Sequence, residues 1–187
     1  VSHSSAPSPR GPRHGILGGV GVRSFLARSL RRFASIGVAS SDSDQTRAQK
    51  ATLVLVAASV TGLAVIWVGI YWWLDLPEAA AIPFTYQLAS LASLVVFART
   101  RSYRFFRVSQ AAMMTLLPFL LQWVLGGYVA SSAVSLWALV AAIGTLFFFT
   151  ADESVPWFGA FVGLTVISGL LEPMVAQHAA EIPDGIR

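Results

Sequence analysis

Cysteine is absent from the 187 residues, so neither a disulfide framework nor a thiolate metal site is available. Histidine is scarce and scattered. His3, His14 and His178 match no HExxH or other metal-ligand spacing, and neither a metal site nor a cofactor is expected. Charge is the third scarcity: 12% of residues are Asp, Glu, Lys or Arg, against about 25% in soluble domains. The deficit lies after residue 50, which excludes one soluble core as the organising principle. Apolar–polar alternation over segments of about ten residues, the mark of a transmembrane barrel, is missing too.

What fills the chain is apolar sequence. Hydrophobic residues make up 55% of it, gathered into five runs at 51–74, 79–98, 108–128, 132–150 and 155–175. A bilayer core about 30 Å thick takes about 20 apolar residues to cross as a helix. The runs therefore predict an all-α, polytopic transmembrane bundle of about five spans, followed by a short tail at 176–187. Little chain is left for a soluble active site, and these residues are expected to catalyse nothing by themselves.

The net charge of +4 matters less than its distribution. Eight of the thirteen basic residues lie in the first fifty: Arg10, Arg13, Arg23, Arg28, Arg31, Arg32, Arg47 and Lys50. Four more, Arg99, Arg101, Arg104 and Arg107, crowd the link between the second and third runs. Cytoplasmic loops are enriched in Lys and Arg. Two crossings separate the clusters, so both fall on one side, and the N-terminus is expected in the cytoplasm of a cell-membrane protein. The link at 151–154 should share that side, yet it carries Asp152 and Glu153 and no basic residue. Tyr71, Trp72 and Trp73 close the first run where amphipathic rings favour the headgroup region. Pro156 and Trp157 stand at the start of the fifth, where a first-turn proline costs little.

The tail at 1–50 reads as basic and mostly disordered, rich in Ser, Pro and Arg at its start. Phe25, Leu26, Leu30 and Phe33 recur at helical spacing among arginines. Two readings stay open for 22–36: a basic amphipathic helix on an anionic membrane face, or a mobile segment that sets topology. An Arg- and Ser-rich, acid-poor transit peptide is a further option.

Several residues carry two readings each. Arg99, Arg101, Arg104 and Arg107 set topology and meet anionic lipid heads, or they dock a cytoplasmic linker. Gln110 and Gln122 lie on the third run with Pro118 between them. Polar side chains in hydrocarbon usually bond across helices, and the proline can kink the helix; the sharper reading is a sensing pocket at the kink, with Gly126 and Gly127 permitting close approach nearby. Gln87, Ser90 and Ser93 give the second run a polar stripe facing the bundle. Gly159 and Gly163 form a GxxxG on the fifth run, and Ala58 and Gly62 a small pair on the first, both candidates for helix contact or a homodimer. Glu172 is expected at the outer interface, in water. The other partner expected is the lipid bilayer. Basic residues joining two membrane helices do not indicate nucleic acid, and none is expected.

Five stretches carry a family resemblance. They are Arg47-Ala-Gln-Lys-Ala51, Phe97-Ala-Arg-Thr-Arg-Ser-Tyr-Arg-Phe-Phe-Arg-Val-Ser-Gln110, Leu117-Pro-Phe-Leu-Leu-Gln-Trp123, Gly126-Gly-Tyr-Val-Ala-Ser-Ser132 and Gly169-Leu-Leu-Glu-Pro173. Over residues 36–173 the chain resembles the N-terminal membrane region of bacterial class III adenylate/guanylate cyclases. The resemblance implies six membrane helices ahead of a cytoplasmic linker and a domain that makes cyclic AMP or cyclic GMP. Here it ends before a sixth span. The family's metal-binding aspartates and transition-state residues have no counterpart in these residues, so no catalytic residue carries over.

The expected function is thus a non-catalytic membrane sensor or anchor of a cyclase-type signalling protein, with a cyclase domain as partner only in a longer chain. A ligand or membrane state would act by favouring one packing of the bundle. A stand-alone multi-pass protein working through a partner is the alternative. A transport subunit is disfavoured, because no intramembrane relay of ionisable residues and no inverted repeat is present.

Overall fold

Ser43 accepts a hydrogen bond from the Thr46 N–H at 3.2 Å and starts helix α1, Asp44–Trp73. At 30 residues this helix is about 45 Å long. It ends in a turn where the Leu76 N–H donates to the Tyr71 carbonyl and the Asp75 N–H to that of Trp72, with Asp75 at φ 59°. Pro77 then occupies the first position of α2, Pro77–Thr100, where a missing N–H is harmless. The chain continues through α3 (Tyr103–Val124), α4 (Leu136–Phe148), α5 (Ala151–Val175) and a 3₁₀ turn, Ala176–His178. The computed structural model describes residues 36–178. They all belong to one unit that begins at Phe33. The candidate amphipathic helix at 22–36 lies outside the described residues except for Ile36, as does the tail beyond His178.

Among the described residues the protein is all-helical, with no strand. The helices run antiparallel in sequence, each packed on the next, and α3 also contacts α5. Two apolar clusters hold the ends. At one end Leu53, Val54, Ala57, Phe97 and Phe106 are buried, and the Phe97 and Phe106 rings stack 4.7 Å apart. At the other, Tyr71, Ala79, Ala80 and Leu121 meet. Tyr71 turns inward here, leaving Trp72 and Trp73 as the exposed rings of that helix end.

The outside is as apolar as the inside. Leu63, Ile66, Leu91, Phe147 and Leu170 all face outward, Leu170 at 75% exposure. Three helices, α1, α2 and α5, are long and apolar enough to cross a membrane. The 13 residues of α4 give only about 20 Å.

Local chemistry moves three boundaries from where the apolar runs put them. The third run reaches Tyr128, but α3 stops at Val124. There the Gly127 N–H donates to the Gln122 carbonyl (2.9 Å) and the Gly126 N–H to that of Trp123 (3.3 Å), a left-handed helix stop. Turns continue through Ser132 and Ala133, at φ 52° and 55°, so α4 starts at Leu136 rather than at Ser132. Conversely, α5 starts at Ala151, ahead of the fifth run. The Thr150 hydroxyl accepts from the Glu153 N–H while the Glu153 carboxylate accepts from the Thr150 N–H. Pro156 consequently sits inside the helix, in its second turn.

A short loop, residues 36–43, folds onto the Phe97 end of the bundle. Lys50, almost fully buried, donates to the Gly37 carbonyl at 3.1 Å and pairs with Asp42 at 2.8 Å. The Ala39 N–H donates to the same Asp42 oxygen at 2.6 Å. Gly37 adopts φ 72°, and a Cβ there would run into the Phe97 ring. Gly37→Ala is expected to destabilise the chain by about 1–3 kcal/mol from backbone strain alone. Gly62→Ala, inside α1 with open space around its Cβ, should be neutral or stabilising by up to about 1 kcal/mol; thermal unfolding in detergent compares the two.

The Lys50 ammonium, and after it the Ala39 N–H, hold the Asp42 carboxyl below its usual range. A lowered folded pKa means the clamp contributes fully above the unfolded value of about 4. Its contribution fades as pH falls below that, through the lowered folded value. Protection of the Ala39 amide, the intrinsic exchange rate at the same pH divided by the observed one, is expected to fall below about pH 4 and to be low at every pH in Asp42→Asn. Protection that persists equally in the variant would show that the clamp does not hold the loop.

Candidate functional site

Polar side chains inside an apolar bundle have few places to find partners. In this protein they form a seam along α3. Ser90 on α2 accepts from the Gln110 amide at 3.1 Å and from the Thr61 hydroxyl of α1 at 3.3 Å. The Tyr86 hydroxyl donates to the Gln110 carbonyl oxygen at 3.3 Å. Ser93 and Ser109 share a 2.5 Å hydrogen bond. Gln110 therefore has a partner on both its amide nitrogen and its oxygen and bridges α2 to α3.

Gln122 is different. It is wholly buried, and neither its amide nitrogen nor its oxygen has a partner. The Thr115 hydroxyl, two turns earlier on the same face, is likewise buried and unpartnered. Pro118 stands between them and has no N–H for the Met114 carbonyl. Gln110 and Gln122 are twelve positions apart on one helix, about 18 Å, so they do not share a pocket. Of the α2 stripe, Ser90 and Ser93 join the seam, while the Gln87 amide nitrogen is buried without a partner.

Glu172 closes the far end of the bundle. Both its carboxylate oxygens accept from the Tyr128 N–H, at 3.0 and 3.1 Å. It is half-buried, not an exposed surface acid. Gly127 makes this approach feasible: at φ 100°, a Cβ on it would lie 2.5 Å from the carboxylate. Nearby, the Tyr128 hydroxyl donates to the Thr165 carbonyl and the Trp123 indole to the Ser168 hydroxyl, so α5 is tied to α3 and its turn by three side chains. Gly159 and Gly163 have nothing within 4 Å of their Cβ positions and face away from the bundle. Ala58 and Gly62 are exposed as well.

The opposite end gathers the charge. Arg99, Arg101 and Arg104 are exposed. Arg107 is not free in that way. It donates to the Phe148 carbonyl (2.9 Å) and to Glu153 (2.9 Å), and its guanidinium lies 4.5 Å over the Phe149 ring. The Gln49 amide donates to the Phe147 carbonyl at 2.8 Å, and Lys50 lies 5.9 Å over the Tyr103 ring. The start of α1, the α2–α3 link and the α4–α5 link thus share one end. The acid that looked misplaced by charge in the 151–154 link is the counterion of Arg107. The signal for that pairing was present, as opposite charges on two links of one side; its geometry was not. The roles of Lys50, Asp42 and Gly37 were not marked by any spacing.

Comparison of the chain with protein-family models, with characterised proteins and with solved structures finds no match.

The two glutamines should respond oppositely to removal of their amides. Gln110→Met strands the Tyr86 hydroxyl and the Ser90 seam, and is expected to cost about 1–3 kcal/mol. Gln122→Met removes an unpaired buried amide and should be neutral or stabilising. Denaturant unfolding in mixed micelles checks the sign; an equal loss at both sites would mean that Gln122 also has a partner.

Proposed function

We propose that residues 44–175 form a five-crossing, non-catalytic membrane module with its N-terminus in the cytoplasm. The observation that carries this reading is the combination of apolar outward faces with the placement of charge. Arg99, Arg101, Arg104, Arg107, Arg47 and Lys50 all lie at one end of the bundle. The turns at the other end, 74–76 and 125–135, hold no basic residue. Such asymmetry sets orientation in membranes. α4 alone is too short for the hydrocarbon core. Tyr128 pins the turns before it to Glu172 and Thr165 of α5, while Val129 and Ser132 stay exposed, which suits turns near the end of the bundle rather than at membrane depth.

The module's role, in this proposal, is that of an input or anchoring region of cyclase-type signalling proteins, the family that residues 36–173 resemble. The seam on α3 supports a sensing role better than a transport role. Its groups are neutral hydroxyls and amides, which order helices but relay no charge. The bond-free amide of Gln122 beside Pro118 is the place where a change in helix packing would gain hydrogen bonds. A stand-alone module that works through a partner helix is the second reading, favoured by the uncovered glycine face of α5.

The absence of cysteine makes orientation directly measurable. With single cysteines in intact cells, Ser102→Cys is expected to react with a membrane-impermeant maleimide only after permeabilisation. Val129→Cys, on an exposed turn at the other end, should react from outside. Labelling of both from one side would overturn the five-crossing topology.

A further inference from the structure

At the basic end, the first turns of α3 and α5 diverge around a cleft of about 250 Å³. Its walls are Arg104, Arg107 and Val108 from α3, and Phe149, Pro156 and Trp157 from the α4–α5 side. Glu153 also lines it, but both carboxylate oxygens are engaged, one by Arg107 at 2.9 Å and one by the Thr150 N–H at 3.3 Å. That pair cancels, and Arg104, exposed and without an acid partner, leaves the cleft with one positive charge in excess.

One further feature favours an anion. Ser102 makes no side-chain cap on α3, so the first N–H groups of that helix stay open next to Arg104. The remaining walls are apolar. Val108 and Pro156 are exposed and run on into the apolar outer faces of their helices, and the Trp157 ring sits 6.0 Å from Phe149. A volume below the roughly 300–1,000 Å³ of small-molecule pockets suits a headgroup rather than a whole ligand.

From this arrangement we infer that the cleft binds the phosphate headgroup of an anionic phospholipid. Arg104 and the start of α3 hold the phosphate, and Val108, Pro156 and Trp157 take the first carbons of the acyl chains. The inference rests on the membrane reading above and adds one defined lipid site to it. It also gives the four arginines different tasks: Arg107 builds the wall, Arg104 meets the lipid, and Arg99 and Arg101 supply only the general field of the basic face.

The test is native mass spectrometry of the full chain in neutral detergent, titrated with phosphatidylglycerol and phosphatidylcholine of equal acyl length. Phosphatidylglycerol is expected to bind more tightly. Arg104→Gln, an exposed change that leaves the helices intact by circular dichroism, should lose about fivefold of that preference, the effect of one basic residue at a membrane surface. Arg99→Gln/Arg101→Gln should keep it. Equal binding of the two lipids overturns the site, and so does an equal loss in both variants, which would mark a diffuse field. Displacement of the lipid by free glycerol phosphate would make the occupant a soluble phosphate and overturn the lipid assignment. Extraction of the chain from membranes by alkaline carbonate would instead remove the membrane reading itself.

Discussion

Every helix of this bundle turns apolar side chains outward, and that constraint governs the rest. With Leu63, Ile66, Leu91 and Leu170 outside, there is little exterior polar surface between the two ends. Hydroxyls and amides must therefore be satisfied from within. Between the ends the answer is a seam of neutral groups, Thr61, Ser90, Tyr86 and Gln110, that ties three helices together. Each such bond is worth only about 0.6–2 kcal/mol. Their value is in register, because a helix sliding by one turn would strand several of them at once.

Charge obeys the same constraint in a harsher form. Ionised groups cluster at the ends, and where one is partly covered it is compensated at short range. Arg107 has a carboxylate, a carbonyl and an aromatic face; Lys50 has a carboxylate, a carbonyl and Tyr103. Among the described residues Glu172 makes no ion pair and instead takes the Tyr128 N–H on both oxygens. A carboxylate at a helix C-terminus opposes the helix dipole, and this N–H is the local offset. The glycine at 127 is what lets the two meet.

Thr115 and Gln122, buried on α3 without partners, stand out against this economy. An amide buried without partners costs about 1–3 kcal/mol relative to a paired one. Thr115 and Gln122 flank Pro118 on one face of α3, where the helix continues although the Met114 carbonyl lacks its usual N–H.

The all-helical character of the described residues and their five α-helices were readable in the sequence alone, because hydrophobic run length is a local property. So was the gathering of Lys and Arg into two stretches that a pair of antiparallel helices separates. The helix limits were less legible. Run length locates an apolar segment, but Gly126, Thr150 and Glu153 decide where the backbone hydrogen bonds stop and start. The pairings were not legible at all: Glu172 with the 127–128 turn, Arg107 with Glu153 and Phe149, Lys50 with the 36–43 loop. These residues lie 8 to 46 positions apart, and nothing in spacing tells an arginine left exposed from one that meets a carboxylate. Composition and periodicity determined that this chain makes helices with apolar exteriors and a basic end. Only the packing of those helices decided which polar groups face each other, because that depends on rotations and crossings that one-dimensional patterns do not contain.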